Sequence, residues 1–314
     1  MNSGVVKIKN TLLRFSTPLT LALMMIIMSL LTDRFLTLDN LFTVLRQVST
    51  NGIIAFGMTM VIITGGIDLS VGSVVAFSGT LACGFIEGGM SIAAALFLAV
   101  LISAVFGLLN GILITKAKMP PFIVTLASMQ IIRGCAYLYS GGMPIRAIDS
   151  SFNRIGNGYL WVFPIPVIIF FVVGVCFYFL LHKTTFGIHV LSVGGNRNCA
   201  VFSGVNADRV QLIVYVISGI CAAISGIIMA ARMYSGQPTS GDGAEMDAIA
   251  SAVLGGTAFA GGKGTIAGTF IGILIIGCMN NGLNILNVSS YYQLLIKGVI
   301  ILLAIYLERF KENM

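Results

Sequence analysis

The sequence predicts an all-α integral membrane protein with about ten transmembrane helices, some of them short or broken. Three observations predict it. Of 314 residues, 57% are hydrophobic and only 9% are charged, whereas soluble proteins carry roughly 25% charged residues; mean hydropathy is +0.99. The apolar residues gather in windows long enough to cross a bilayer, with short polar connections between them. The 37 glycines suit helices packed backbone to backbone in lipid.

A basic lead (Lys7, Lys9, Arg14) precedes the apolar run Pro18–Leu31. No small-x-small cleavage site follows, only Thr32-Asp33-Arg34, so residues 16–36 read as an uncleaved first helix. Spans follow at 41–64, 71–87, 91–114, 120–140, 161–181, 210–232, 244–257, 265–286 and 291–308. The third and eighth are too short and too glycine-flanked for ordinary spans and read as half-length or broken helices. Two connections are long, Gly141–Leu160 and His182–Arg209. The second divides the chain into halves at 1–181 and 210–314. Gly88-Gly89 leads into the fourth span and Gly261-Gly262 into the ninth, in opposite directions, as an inverted repeat would place them.

Charge fixes the orientation. With the N-terminus inside, the inside segments hold Lys7, Lys9, Arg14, Lys116, Lys118, Lys183, Arg197, Arg209, Lys263, Arg309 and Lys311. The outside segments hold Arg34, Arg146, Arg154 and Arg232, while Arg46, Arg133 and Lys297 fall within spans. Eleven against four puts both termini in the cytoplasm. The net charge of +7 is explained by this bias; the basic residues are scattered one to three per loop with no dense cluster, which argues against a nucleic-acid partner. Six cysteines (Cys83, Cys135, Cys176, Cys199, Cys221, Cys278) show no metal spacing. Two histidines, His182 and His189, lack a third ligand, so no metal site is expected.

The segment Gln237–Gly268 carries three acids (Asp242, Glu245, Asp247) and eight glycines between apolar runs. Ionisable side chains and broken backbone persist at membrane depth only where protein or a wet cavity shelters them. Glu245 and Asp247 open the short eighth helix, where carboxylates complement its dipole, with Arg232 as an expected ion-pair partner. At Thr64–Ser73, Gly65 and Gly66 stop one helix while Asp68 or Ser70 can cap the next. A similar break at Gly255, Gly256, Gly261 and Gly262 lies on the same side, and the two together suggest a paired gate. Asn51, Thr59, Asn110, Gln130, Arg133, Asn280, Asn281, Asn284 and Gln293 are polar residues on apolar helices. Each alone is an interhelical bond; together they suggest a polar, uncharged cargo. GxxxG spacing at Gly107–Gly111, Gly264–Gly268 and Gly268–Gly272 licenses close packing. The run GGTAFAGGKGT is not a phosphate loop. Thr257 stands where a Walker A needs glycine, and Gly264 stands where it needs serine or threonine.

In the inside loop, Gly194-Gly195 reads as a turn, Asn196 as the cap of a short helix from Arg197 to Ser203, and Gly204 as its end. Such a helix between two spans is a suitable lever for an external motor. These residues alone leave two classes open, a motor-driven permease and an ion-coupled secondary transporter using Glu245 or Asp247. No nucleophile–base or metal constellation supports an embedded enzyme.

GGIDLSVGS, VGGNRNCAVFSGVNADR, QPTSGDGAEMDAIASAVLGGTAFAGGKGTIAGTFIG and NNGLNILNVSSYYQLLIKGVIILLA together resemble the permease subunits of ribose-type monosaccharide ABC importers. The likeness covers nearly the whole chain. It implies a single permease domain over 1–314, working as a homo- or heterodimer in the bacterial inner membrane. The implied partners are cytoplasmic ABC ATPase subunits and a periplasmic or lipid-anchored sugar-binding protein. No cofactor is implied on this chain, ATP being bound by the partner. On this resemblance Gly195, Asn196, Arg197, Ala200, Ser203 and Gly204 map to the coupling segment, and GGIDLS and GGTAFAGGKG to family signatures. Asn51, Asn110, Gln130, Arg133, Glu245, Asp247, Asn280, Asn281 and Asn284 stand as pathway candidates. External Arg34, Arg146 and Arg154 are placed to meet acids on the binding protein. The sequence departs from the family where Val201 follows Ala200 and where Ala244 and Met246 flank Glu245.

Overall fold

A computed structural model describes residues 16–312. Lys7, Lys9 and Arg14 lie outside the described residues, and Arg309 and Lys311 are described only as backbone. The first half contains α1 (Ser16–Leu31), α2 (Leu38–Ile63), α3 (Val71–Glu87), α4 (Ile92–Thr115), α5 (Pro121–Ser140), α6 (Ser150–Asn157) and α7 (Ile165–Lys183). Then come α8 (Thr185–Gly195) and α9 (Arg197–Phe202). The second half contains α10 (Ala207–Met233), α11 (Ala244–Leu254), α12 (Ile266–Ile285) and α13 (Ser290–Glu312). Four two-residue strands complete the described elements: β1 (Ile145–Arg146), β2 (Tyr159–Leu160), β3 (Phe163–Pro164) and β4 (Ser235–Gly236).

All ten expected spans are helices, and five of these (α4, α5, α7, α10, α12) are long and apolar enough to cross a membrane on length and composition alone. The eighth, α11, is a half-length helix of 11 residues. The third, α3, is likewise short, at 17 residues, but continuous and not broken. Its residues Val71–Cys83 are buried all round. A helix apolar on every face belongs inside a bundle rather than against lipid, so its glycines pack against neighbours instead of breaking it.

The two halves interlock. Helix α2 packs on α11 and α12, while α10 packs on α3 and α4. Each half therefore lends one long buried helix to the other, and the fourth and ninth spans occupy matching places. One apolar core runs through both halves, from Val48 and Phe56 to Tyr215 and Ile273. Small residues permit this approach. A Cβ at Gly107 or Gly111 of α4 would press on the α10 backbone at Tyr215 and Leu212, and one at Gly268 or Gly272 of α12 would press on Gly255 and Ser251.

Sidedness agrees with the charge count. At one end β1 pairs antiparallel with β4, Ile145 opposite Gly236, joining two segments expected outside. The outer connection is structured: Asp149 caps α6 through Ser151 N (2.8 Å) and Phe152 N (3.1 Å). Asn157 then donates to the Ala231 and Arg232 carbonyls at the end of α10. At the other end the three segments expected inside, 64–70, 182–206 and 255–265, meet one another.

Candidate functional site

The meeting of the inside segments is built from glycine. Gly65 (φ +75°) turns the chain out of α2, and Gly261 (φ +92°) and Gly262 (φ +75°) occupy the left-handed region that glycine alone enters without strain. The Gly262 N–H donates to the Ile63 carbonyl at 2.8 Å, so the two glycine breaks expected to form a paired gate are hydrogen-bonded to each other. Gly194 closes the junction. A Cβ there would overlap the Ile63 carbonyl and the Gly262 nitrogen, and a Cβ at Gly262 would lie 2.6 Å from the Gly195 Cα. Gly194 and Gly195 are therefore the last two residues of α8 rather than the expected turn; the chain turns at Asn196. That residue caps α9 by accepting the Cys199 N–H at 3.0 Å, and Gly204 (φ +86°) ends it after Ser203.

Helix α9 is thus seated on the ends of α2 and the α11–α12 connection through α8. On its inner side Ala200 is buried and Arg197 pairs with Asp208 and donates to Gln211 Oε1 at 2.9 Å, tying the helix to the start of α10. Its outer side exposes Val201 and Phe202, the latter 91% exposed. Sequence reading missed Phe202; an aromatic residue at the end of a short helix in the polar inside loop His182–Arg209 was the available signal.

Above the junction lies a buried polar chain. Ser128 Oγ donates to Asn110 Oδ1, Asn110 Nδ2 to Ser70 Oγ (3.0 Å), Ser70 Oγ to Asp68 Oδ1 (2.6 Å), and Ser218 Oγ to Asp68 Oδ2 (2.8 Å). It joins α5, α4, the 64–70 segment and α10. Ser70 makes no side-chain cap of α3; Asp68 instead accepts the Ser70 N–H at 3.1 Å. Burial pushes the Asp68 carboxyl above its ordinary range, opposed by these bonds from Ser70 and Ser218.

The acids of α11 separate into two sites. Asp247 accepts from Lys297 (2.9 Å), Asn51 (3.2 Å) and Asn280 (3.3 Å), so α2, α11, α12 and α13 converge on one carboxylate. The expected pairing with Arg232 is corrected: Lys297, about two turns into the last span, is the partner, and Arg232 forms no ion pair among the described residues. Glu245 lines a cavity of about 280 Å³ with Ser73, Gln130, Arg133, Thr239 and Asp242. Arg133 fixes its outer wall by donating to the Pro238 and Ser240 carbonyls, both at 2.7 Å. Ser73 is fully buried and its Oγ has no hydrogen-bond partner among the described residues. The cavity therefore offers hydroxyls, an amide, a guanidinium and two carboxyls between the first turns of α3 and α11 and the middle of α5. Asn281 and Asn284 lie apart from both sites: Asn281 exchanges bonds with Asn40 (2.8 and 3.0 Å), and Asn284 accepts from Gln293 at 2.8 Å.

A polytopic helical protein with a glycine-seated cytoplasmic helix and a polar cavity at membrane depth is a membrane permease. The chain belongs to the family described as branched-chain amino acid transport system / permease component, which matches residues 40–305. It is 48% identical over 296 residues to the ribose import permease protein of Bacillus subtilis (strain 168), covering 94% of this chain and 92% of that one. Against the ribose import permease protein of Escherichia coli (strain K12) it is 42% identical over 298 residues, covering 94% and 93%. The D-allose transport system permease protein of the same strain is 38% identical over 282 residues, covering 90% and 86%. No solved structure matches. The chain is thus a multi-pass permease of the bacterial inner membrane, similar to the permeases of sugar import systems.

Proposed function

We propose that this chain is the membrane-spanning subunit through which ribose passes in an ATP-driven, binding-protein-dependent importer. Two permease subunits pair, a separate ATPase binds and hydrolyses ATP, and a periplasmic or lipid-anchored sugar-binding protein delivers cargo to the outer face. The observation that carries ribose is the 48% identity over 94% of the chain to a ribose import permease. The family description speaks of branched-chain amino acids. The cavity favours a hydroxyl-rich solute, because Ser73, Gln130, Thr239 and Glu245 offer hydrogen bonds that an aliphatic side chain would leave unmade.

In this reading Gln130, Arg133 and Glu245 line the outer part of the pathway, and the Asp68–Asn110 chain and the paired glycine breaks form its cytoplasmic gate. Helix α9 docks on the ATPase through Phe202 and Val201. Closure of the ATPase pushes α9, and the glycine seat passes that displacement to the ends of α2 and α11. Asp247, with Asn51 and Asn280, is engaged by Lys297, which removes one of two acids an ion-coupled carrier could use.

Radiolabelled ribose uptake in proteoliposomes tests the proposal. The vesicles hold this chain with its ATPase and binding protein, with and without internal ATP. Uptake that needs both partners and ATP is the expected result. Uptake by this chain alone under a proton or sodium gradient would establish an ion-coupled carrier instead, and ATP-dependent uptake of allose but not ribose would overturn the cargo while keeping the machine.

A further inference from the structure

A groove of about 560 Å³ opens on the outside of the bundle between α2, α7 and α12. Its floor is a stack of aromatic rings, Phe56 on Phe170 (5.4 Å between centroids) and Phe170 on Phe270 (5.6 Å), with Phe171 tilted against Phe270 (5.7 Å). Along α7 the wall follows a single face from Phe170 through Gly174 to Phe179. Gly174 keeps the groove open, since a Cβ there would come within 3.1 Å of the Phe56 ring. Phe171, Val175, Tyr178 and Phe179 are all exposed.

Three observations say what fills it. The wall is almost purely apolar and lies on membrane-crossing helices, so its occupant is hydrocarbon. Phe170 to Phe179 rises about 13–14 Å, close to half of the ~30 Å hydrocarbon thickness of a bilayer, so one acyl chain of one leaflet matches it. The leaflet is the cytoplasmic one, because the groove ends at Tyr178, Phe179 and Ile266, next to the inside ends of α7 and α12. Beside α7 and α12 the charge has one sign, and the acid that follows α2, Asp68, is buried. No acid occurs between Asp149 and Asp208, nor between Asp247 and Glu308, while His182, Lys183 and Lys263 flank the groove's end in sequence. Lys183 and Lys263 are exposed and form no ion pair among the described residues, and the His182 ring lies 5.0 Å from that of Tyr178.

We propose that this groove is a binding site for an anionic phospholipid of the cytoplasmic leaflet, with an acyl chain on the phenylalanine floor and the headgroup phosphate held by Lys183 and Lys263. The proposal rests on the orientation of the chain and not on its cargo. A lipid bound there braces the foot of α7 against the start of α12, beside the glycine seat of α9.

Quenching by brominated lipid tests it. The chain has one tryptophan, Trp161, on the outer side. A Trp161→Phe/Tyr178→Trp variant places the sole tryptophan in the groove, and it is reconstituted with dibromo-phosphatidylglycerol or dibromo-phosphatidylcholine diluted into unbrominated lipid. The expected result is at least about fivefold preferential association of phosphatidylglycerol, the selectivity one basic side chain confers on an anionic headgroup. Adding Lys183→Gln and Lys263→Gln should bring the two lipids to equal quenching. Equal quenching without those changes would reduce the groove to ordinary lipid contact, and no quenching by either lipid would mean that protein covers it; both overturn the proposal. Native mass spectrometry of the unsubstituted chain gives an independent reading: phosphatidylglycerol should stay bound at energies that strip phosphatidylcholine, and identical loss of both would refute the site. Neither measurement depends on ribose transport.

Discussion

Gly194 and Gly195 are neighbours in one helix with opposite structural demands, and the pair isolates the glycine seat beneath α9. At Gly194 an added Cβ meets the Ile63 carbonyl and the Gly262 N–H; at Gly195 nothing lies within 4 Å. For Gly194→Ala the overpacking costs about 1–3 kcal/mol. Forcing α8 away also strains the 2.8 Å Gly262–Ile63 hydrogen bond, worth about 1 kcal/mol. Better helix propensity returns about 1 kcal/mol, leaving a net loss of about 1–3 kcal/mol. Gly195→Ala keeps only the propensity gain and should be neutral or slightly stabilising. Thermal unfolding in detergent, followed by a thiol-reactive dye reporting on buried Cys83, Cys221 and Cys278, should show Gly194→Ala melting several degrees lower and Gly195→Ala unchanged. ATP-dependent uptake should fall far more in Gly194→Ala than the folded fraction accounts for, because the seat that relays α9 motion has shifted. Equal stability and uptake in the two variants would refute the glycine-seat argument.

Lys297→Met should cost about 3–5 kcal/mol by leaving the buried Asp247 carboxylate without its cation, and Lys297→Met/Asp247→Leu should recover much of it; thermal melts of both decide this. Asn110→Ala should destabilise by about 1–3 kcal/mol, since Ser70 and Ser128 lose their shared partner; a melting point equal to that of the parent would exclude the network. Phe202→Ala should change stability by less than about 0.5 kcal/mol, the side chain being 91% exposed, yet abolish co-purification of the ATPase; retained binding would move the docking surface elsewhere. Glu245→Gln and Ser73→Ala should each lower ribose uptake with folding intact, and undiminished uptake in both would place the pathway outside the 280 Å³ cavity.

Much of the architecture was legible because membrane helices are specified locally. A span announces itself by a run of apolar residues, and its ends by glycine, proline or a capping side chain, as at Asn196 and Gly204. The outer elements were less legible: α6 depends on the Asp149 cap and on Asn157 reaching the end of α10, and β1 and β4 pair across the 88 residues between Arg146 and Ser235. Of the polar candidates, the sequence offered nine as equals. Distance in the fold sorted them into the Glu245 cavity, the Asp247 cluster, the Asp68 chain and the isolated Asn281 and Asn284 pairs. Arg232 was the wrong partner for Asp247 because it is near in sequence, whereas Lys297 is near in space.

The sequence by itself determined the membrane class, the positions of the ten apolar helices and the short helix capped by Asn196, since hydropathy and capping act over a turn or two of chain. Only the tertiary structure decided which glycines touch, which carboxylate is neutralised, and which hydroxyl is left without a partner. Those outcomes depend on ångström-scale contacts between segments separated by tens to hundreds of residues, and no local pattern encodes such a distance.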